Sequence, residues 1–253
     1  MNSLDRREFF NAFASAVALS VVLRTNALAA VPAEVTRWAQ DIADLNRDLS
    51  TGRVALTQWQ ARITALNVGV DLGDLKNYLD FDRLTAAMKF PGRLAETADP
   101  KFPPEINIAG IDRHWFIRFF GMRRGGAIIP HIHNNMVSAH LVLQGKFHAR
   151  TFDRVADLAD AAILKPTRDE TMGPGGSITM SDDRDNAHWL VSQQDRSFTF
   201  DVGVLALSQT RTYGLPANEY SMIFVDPTGP KDSRGLITAP VMTFKQCQSK
   251  FAP

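Results

Sequence analysis

The chain has 253 residues, of which 45% are hydrophobic, and a nearly balanced formal charge of +1. This length and composition allow a sizeable buried core. Because there is no basic block with interleaved aromatic residues, the composition argues against nucleic acid as a partner. Cys247 is the only cysteine, which excludes an internal disulfide and makes a catalytic thiol so close to the chain end improbable.

The first segment, residues 1–29, has the pattern of an export signal. Arg6 and Arg7 precede two phenylalanines and an apolar stretch, residues 12–23, and a small-x-small pattern ends at Ala29. The apolar stretch is shorter than the roughly 20 helical residues that cross a membrane, so we expect a signal and no stable membrane anchor. The paired arginines resemble twin-arginine signals, which implies the twin-arginine translocase as a partner and a bacterial periplasmic location. An ordinary secretory signal is the alternative.

Residues 30–104 are predicted to form a helical segment followed by a proline-rich linker at Phe90–Pro104. We expect three helices, packed on the outside of a sheet, with a lid or a homodimer surface as the alternative. The helices are predicted from apolar residues three or four positions apart: Val35, Trp38, Ile42 and Leu45, then Trp59, Ile63 and Leu66, then Leu75, Leu79, Leu84 and Met88.

From residue 105 to residue 253 the apolar pattern is that of strands, which predicts a mainly β domain with the two antiparallel sheets of a jelly roll. Residues 157–171 interrupt the pattern and are predicted to be a short helix or a loop. The nine predicted strands are Trp115–Phe120, Ala127–His133, Val137–Gln144, Lys146–Phe152, Ser177–Met180, Ala187–Ser192, Ser197–Leu207, Tyr220–Val225 and Val241–Phe244.

The segment from Gly125 to Gly145 contains the strongest functional signal. His131 and His133 are separated by one residue, so on a strand both imidazoles point to the same face. Neutral imidazole is a common ligand of transition metals. The pair therefore predicts half of a metal site.

At these residues the chain resembles the first motif of the cupin superfamily, in which Gly, His-x-His, Glu and Gly recur at fixed spacing. Gly125, His131, His133 and Gly145 are in register, and Ser138 stands at the Glu position. The resemblance implies a cupin double-stranded β-helix, a jelly-roll barrel with the metal inside and an N-terminal helical segment. The family's usual anionic ligand is absent.

A second ligand strand is expected to contribute His188. The second cupin motif, set on His188, agrees only at that histidine, and Ser177, Asp183, Asp185 and Ser192 occupy its other positions. His188 is chosen by elimination among the remaining histidines, and because a turn precedes it and an apolar strand follows it.

Other polar residues are open in role. His140 shares a strand face with Ser138, and it is interpreted as a fourth ligand, a base beside the ligands, or a polar group of the substrate pocket. Asp201 would supply an oxygen ligand or face solvent. His114 and His148 are not expected to bind metal. Four arginines are candidates for holding a substrate carboxylate: Arg118, Arg123, Arg124 and Arg150.

The three-histidine pattern is similar to the cysteine-dioxygenase branch of cupins, which implies an Fe(II) dioxygenase with a small organic substrate and dioxygen as partners. His131, His133 and His188 would hold the metal, and His140 and Ser138 would be the catalytic residues. Manganese, copper, nickel and zinc are the alternative metals. The alternative functions are a non-oxidative lyase, isomerase or decarboxylase, and a periplasmic ligand-binding or sensor protein without catalysis.

Overall fold

This computed structural model describes residues 32–107, 115–208, 213–218 and 221–253. The predicted signal, residues 1–29, and His114 lie outside these ranges. The described helices are α1 (Ala33–Ser50), α2 (Leu56–Gly69), α3 (Leu72–Tyr78), α4 (Phe81–Ala86) and α5 (Phe244–Phe251). None of them is long and apolar enough to span a membrane.

The strands are distributed along the rest of the described chain. They are β1 (Glu96–Ala98), β2 (Trp115–Met122), β3 (Ala127–His133), β4 (Val137–Gln144), β5 (Phe147–Asp157), β6 (Ala161–Met172), β7 (Ser177–Met180), β8 (Ala187–Ser192), β9 (Ser197–Val204), β10 (Met222–Phe224) and β11 (Ile237–Pro240).

Two antiparallel sheets form the β domain, which confirms the predicted fold class. One sheet has the order β1-β2-β9-β4-β7 and the other the order β10-β3-β8-β5-β6-β11. Side chains from both sheets meet in one apolar cluster, to which Met122 and Val142 contribute from the first sheet and Phe147 and Leu190 from the second. Apolar side chains therefore fill the space between the two sheets around this cluster.

Strand β4 has the two faces that its sequence predicts. Ala139, Leu141 and Leu143 belong to an apolar cluster that also contains the helices, whereas Ser138 and His140 face the interior. On the neighbouring strand, Phe198 and Phe200 face the helices: the rings of Phe200 and Trp38 of α1 are 5.7 Å apart. The helical segment thus packs on the outer face of the five-stranded sheet, as expected.

The predicted third helix is two helices in the structure. Asp71 begins α3, where its side chain accepts a hydrogen bond from the backbone N–H of Asp74 at 2.8 Å. Asp80 then adopts a left-handed conformation, with φ of 53°, which a continuous right-handed helix cannot contain. The apolar spacing of Leu79 and Leu84 does not reveal this interruption.

The interpretation of residues 157–171 as a helix or loop was wrong. Strand β5 continues to Asp157, and β6 pairs with β5 on one side and with β11 on the other. The second half of β6 is polar on both faces and mostly exposed, so it has no apolar alternation to detect. Pro166 lies beside a register shift between β5 and β6, a position where the missing N–H is tolerated.

Two smaller differences concern the chain ends of the β domain. Residues 96–98 of the predicted linker form β1, which pairs with β2. The strand predicted at Val241–Phe244 is instead β11 at Ile237–Pro240 followed by α5. Thr243 caps that helix by accepting a hydrogen bond from the backbone N–H of Gln246, so the helix begins where the strand was expected to end.

Candidate metal centre

A bulge in β3 turns both of its histidines into the barrel. The pairing of β3 with β8 shifts between Ile128 and His131, where β3 has one residue more than its partner. Ile128 faces the interior before the bulge, and His131 and His133 face it after the bulge. Bulges commonly redirect side chains beside functional sites, and Pro130 lies within this one.

The motif glycines occupy turns at the ends of the adjoining strands. Gly125 has a φ of +73° and Gly145 a φ of +80°, in the region where a side chain is disfavoured. A Cβ atom at Gly145 would also overlap the side chain of Ser197. The backbone conformation of these two turns therefore explains why glycine occupies both positions.

The structure brings together the three histidines that the sequence nominated as ligands. His131 lies directly opposite His188 in the ladder between β3 and β8, and cross-strand partners of this kind are close neighbours. The ring centroids are 4.2 Å apart for His131 and His188 and 4.7 Å apart for His131 and His133. One potential ligand atom from each of the three lies within 4.8 Å of the other two.

All three imidazoles are deprived of water. The exposed fractions are 6% for His131, 4% for His133 and 2% for His188. Burial lowers the pKa of His131 to about 4, against a smaller opposite effect of the Ile129 carbonyl. Burial also lowers the pKa of His133 and of His188 well below the usual value, and neighbouring histidines add to both shifts. The three rings are therefore neutral at pH 7, as metal ligation requires.

The hydrogen bonds of the rings leave nitrogen lone pairs free. The Nδ1–H of His131 donates to the carbonyl of Ile129 at 2.8 Å, which leaves Nε2 as the lone-pair atom. Among the described residues, no hydrogen-bond partner satisfies either ring nitrogen of His133 or of His188. Buried polar atoms normally have partners, so this donor set fits a metal ion that the three rings would share.

A second polar group lies on the opposite sheet. The Ser138 hydroxyl donates to Oδ1 of Asp201 at 2.7 Å, and Oδ2 of Asp201 lies 3.8 Å from Nε2 of His140. The other nitrogen of His140, Nδ1, is 3.3 Å from the Thr199 hydroxyl. Asp201 is only 3% exposed, which excludes the interpretation that it faces solvent, and burial raises its pKa.

Hydrogen bonds to the backbone support the histidine strands from outside the ligand set. The Asn186 amide donates to the carbonyl of His133 at 3.0 Å. The buried guanidinium of Arg154 donates to Asn134 Oδ1 at 2.5 Å and to the His133 carbonyl at 3.4 Å. Arg154 also forms two hydrogen bonds of 2.7 Å with Asp157. Sequence reasoning missed these residues because single polar side chains carry no periodic signal.

A small apolar cavity borders the centre on the side of His131. Its volume is about 40 Å³, and Phe120, Ile128, Met222 and Phe224 are among its lining residues. A buried water needs about 10–15 Å³ by the same kind of measure, so the cavity has room for about three groups of the size of a water molecule.

The remaining sequence candidates lie elsewhere. Arg123 and Arg124 are exposed, and Arg118 forms an ion pair with Asp99 at 2.6 Å. Arg150 stacks over Trp189, whose ring packs on the outside of the six-stranded sheet.

Two further candidates are also separate from the three histidines. His148 is hydrogen-bonded to Asp169 at the surface, consistent with the expectation that it does not bind metal. Cys247 is fully buried, and burial raises the pKa of its thiol to about 12.

Comparison with known proteins finds only solved structures of low similarity. No family model and no curated protein matches the chain. Solved structures with a similar fold include KdgF from Halomonas sp., with 16% identity, a TM-score of 0.32, and coverage of 46% of this chain and 81% of that one. A cupin superfamily protein from Desulfitobacterium hafniense DCB-2 has 11% identity, a TM-score of 0.32, and coverage of 49% and 88%.

A further similar structure is an RmlC-like cupin from Shewanella frigidimarina NCIMB 400. It has 16% identity and a TM-score of 0.27, with coverage of 37% of this chain and 68% of that one. No conclusion about this chain follows from likeness of this size.

Proposed function

We propose that this protein is a metal-dependent oxidoreductase that binds Fe(II) through His131, His133 and His188 and acts as a dioxygenase on a small organic molecule. The observation that carries the proposal is the set of buried ring nitrogens of His133 and His188 that have no hydrogen-bond partner among the described residues. A buried unsatisfied polar group costs about 1–3 kcal/mol, and a shared metal ion removes that cost at both residues.

The donor set favours iron with open coordination positions. Three neutral imidazoles leave the charge of a divalent metal uncompensated, so an anionic substrate can complete its neutralisation. When bound, Fe(II) supplies the site for substrate and dioxygen chemistry. The carboxylate that the cupin motif would place at position 138 is replaced by the hydroxyl of Ser138, and the three ligand side chains add no negative charge.

The residues of the chain would have separate tasks in this reaction. The three histidines bind and orient the metal, and their burial excludes bulk water. His140 and Ser138 form the polar wall of the barrel interior and would orient the substrate or dioxygen. The apolar cavity beside His131, about 40 Å³ in volume, would accept dioxygen or a short alkyl group of the substrate.

Metal content by mass spectrometry is the test of the site. We expect close to one equivalent of iron in the wild type after anaerobic reconstitution, and a loss of most of it in His131→Ala and His188→Ala. His148→Ala is the matched control, because His148 lies on the outer face beside Asp169. Full metal content in His131→Ala, or no metal in the reconstituted wild type, would disprove the site.

Oxygen consumption separates the oxidative function from a non-oxidative one. A lyase, isomerase or decarboxylase that uses the metal as a Lewis acid is the second candidate. The pair of His140 and Asp201 favours it, since a buried imidazole beside a carboxylate is typical of acid and base catalysis. Substrate turnover by the iron-loaded protein without uptake of dioxygen would establish this second candidate.

We further propose that the protein is exported to the periplasm by the twin-arginine translocase. Arg6 and Arg7 support this proposal. Replacement of both by lysine should retain the protein in the cytoplasm of a bacterial host, and unchanged export of that variant would refute the proposal.

A further inference from the structure

His140 is close enough to the metal centre for its role to be in question. Its ring centroid lies 5.4 Å from that of His188, and its exposed fraction is 2%. Yet the group of ligand atoms within 4.8 Å of one another, as found among the described residues, contains only His131, His133 and His188.

The two nitrogens of His140 face other partners. Nδ1 lies 3.3 Å from the Thr199 hydroxyl, and Nε2 faces Oδ2 of Asp201 at 3.8 Å. Both nitrogens of His133 and of His188, by contrast, have no hydrogen-bond partner among the described residues. The four buried imidazoles therefore divide into rings with an available lone pair and one ring with polar groups at both nitrogens.

The carboxylate beside His140 is itself fixed in place. Asp201 and His140 are direct partners in the ladder of β9 and β4, and Ser138 is paired with the next inward position, Gly203. The Ser138 hydroxyl holds the other carboxylate oxygen at 2.7 Å. Both partners of His140 thus come from β9, a strand that contributes no histidine to the centre.

We propose that Asp201 and Thr199 hold His140 outside the ligand set, so that the metal keeps its open positions. This inference rests on the proposed function, because it concerns the same metal centre. Asp201 is a positioning residue that acts through His140. Without these two partners, rotation of the His140 ring brings a fourth nitrogen to the metal and occupies a position that substrate or dioxygen needs.

The test counts coordinated imidazoles in the copper(II)-loaded protein by pulsed electron paramagnetic resonance. We expect three in the wild type and four in the double variant Thr199→Val/Asp201→Ala. Adding His140→Leu to the double variant should return the count to three. His148→Leu is the control for loss of a histidine elsewhere, and it should leave the count at three.

Metal affinity gives a second readout that does not require the double variant to fold. In the wild-type background, His140→Leu should leave the copper(II) dissociation constant nearly unchanged, whereas removal of a true ligand or its close partner weakens affinity by about 10-fold or more. Four imidazoles in the wild type, or a loss of that size in His140→Leu, would overturn this inference and leave the three-histidine site intact. If neither the wild type nor any variant bound metal, the proposed function would fail as well.

Discussion

The side chain of Gln60 connects the helical segment to the turn between β7 and β8. It lies on α2 and is 5% exposed. Its Nε2 donates to the Thr179 carbonyl at 3.0 Å and to the Arg184 carbonyl at 3.3 Å, and its Oε1 accepts from the Ser181 hydroxyl at 2.9 Å. These partners lie at the end of β7 and in the turn that leads to β8, the strand of His188.

Replacement of Gln60 by leucine keeps the approximate size of the side chain and removes these three hydrogen bonds together with a longer one, of 3.4 Å, to the Thr179 hydroxyl. Each bond contributes about 1 kcal/mol, and the buried hydroxyl of Ser181 loses its acceptor. We therefore expect the free energy of unfolding to fall by about 2–4 kcal/mol. Because Asn186 in the same turn hydrogen-bonds the His133 carbonyl, metal affinity should also fall by about 10-fold.

Urea unfolding and metal titration of the protein measure these two effects. Gln58→Leu is the matched control, since Gln58 lies on the same helix, is exposed and has only a local hydrogen bond from Ala55. We expect that variant to lose less than about 1 kcal/mol. Equal destabilisation by the two variants would refute the reasoning, because it would mean that the contacts of Gln60 with the β7–β8 turn contribute nothing.

The remaining predictions concern metal, pH and a buried ion pair. Removal of the metal by a chelator should cost about 2.7 kcal/mol of stability when the free metal was at 100 times its dissociation constant, and a melting temperature unaffected by chelator would contradict the site. In the metal-free protein, the pKa of His131 is lowered to about 4, so below about pH 6.5 the unfolded chain takes up a proton that the folded chain does not. The free energy of unfolding should therefore fall from pH 6.5 towards pH 4, by about 3 kcal/mol for this residue. In His131→Gln the free energy of unfolding should fall less steeply over the same range. Arg154→Met should destabilise the protein by about 3 kcal/mol, because it leaves the carboxylate of Asp157 without its cation; Asp157→Asn should reduce that loss in a double-mutant cycle measured by urea unfolding.

Those features that depend on alternation were predictable from the sequence. The two faces of β4 follow from its period of two, which places Ala139 and Leu141 on the helix side and Ser138 and His140 on the interior side. The cupin spacing nominated His131 and His133, elimination nominated His188, and the structure brings the three rings together. The three histidines lie on strands β3 and β8, and both strands were predicted from the sequence.

Other features depend on contacts between distant segments, which spacing does not encode. Asp201 lies between two apolar residues, and that pattern fits an exposed charge as well as a buried one; its pairing with Ser138 decides the matter. The hydrogen bonds of Gln60 join residues more than a hundred positions apart. Strand β6 was missed because the side chains of its second half are polar and mostly exposed, so they show no apolar alternation.

The bulge in β3 lets this strand hold one residue more than β8 while side chains on both sides of the bulge still face the interior. Ile128 and His131 face the same side although they are three positions apart, because the extra residue reverses the alternation between them. Deletion of one residue from the bulge would leave Ile128 and His131 two positions apart, a spacing at which a regular strand places both on one face, so both imidazoles would still point inward. Within a protein lineage, loss of one residue at the bulge can therefore be retained without loss of the centre, whereas a one-residue change between His131 and His133 would turn one imidazole outward.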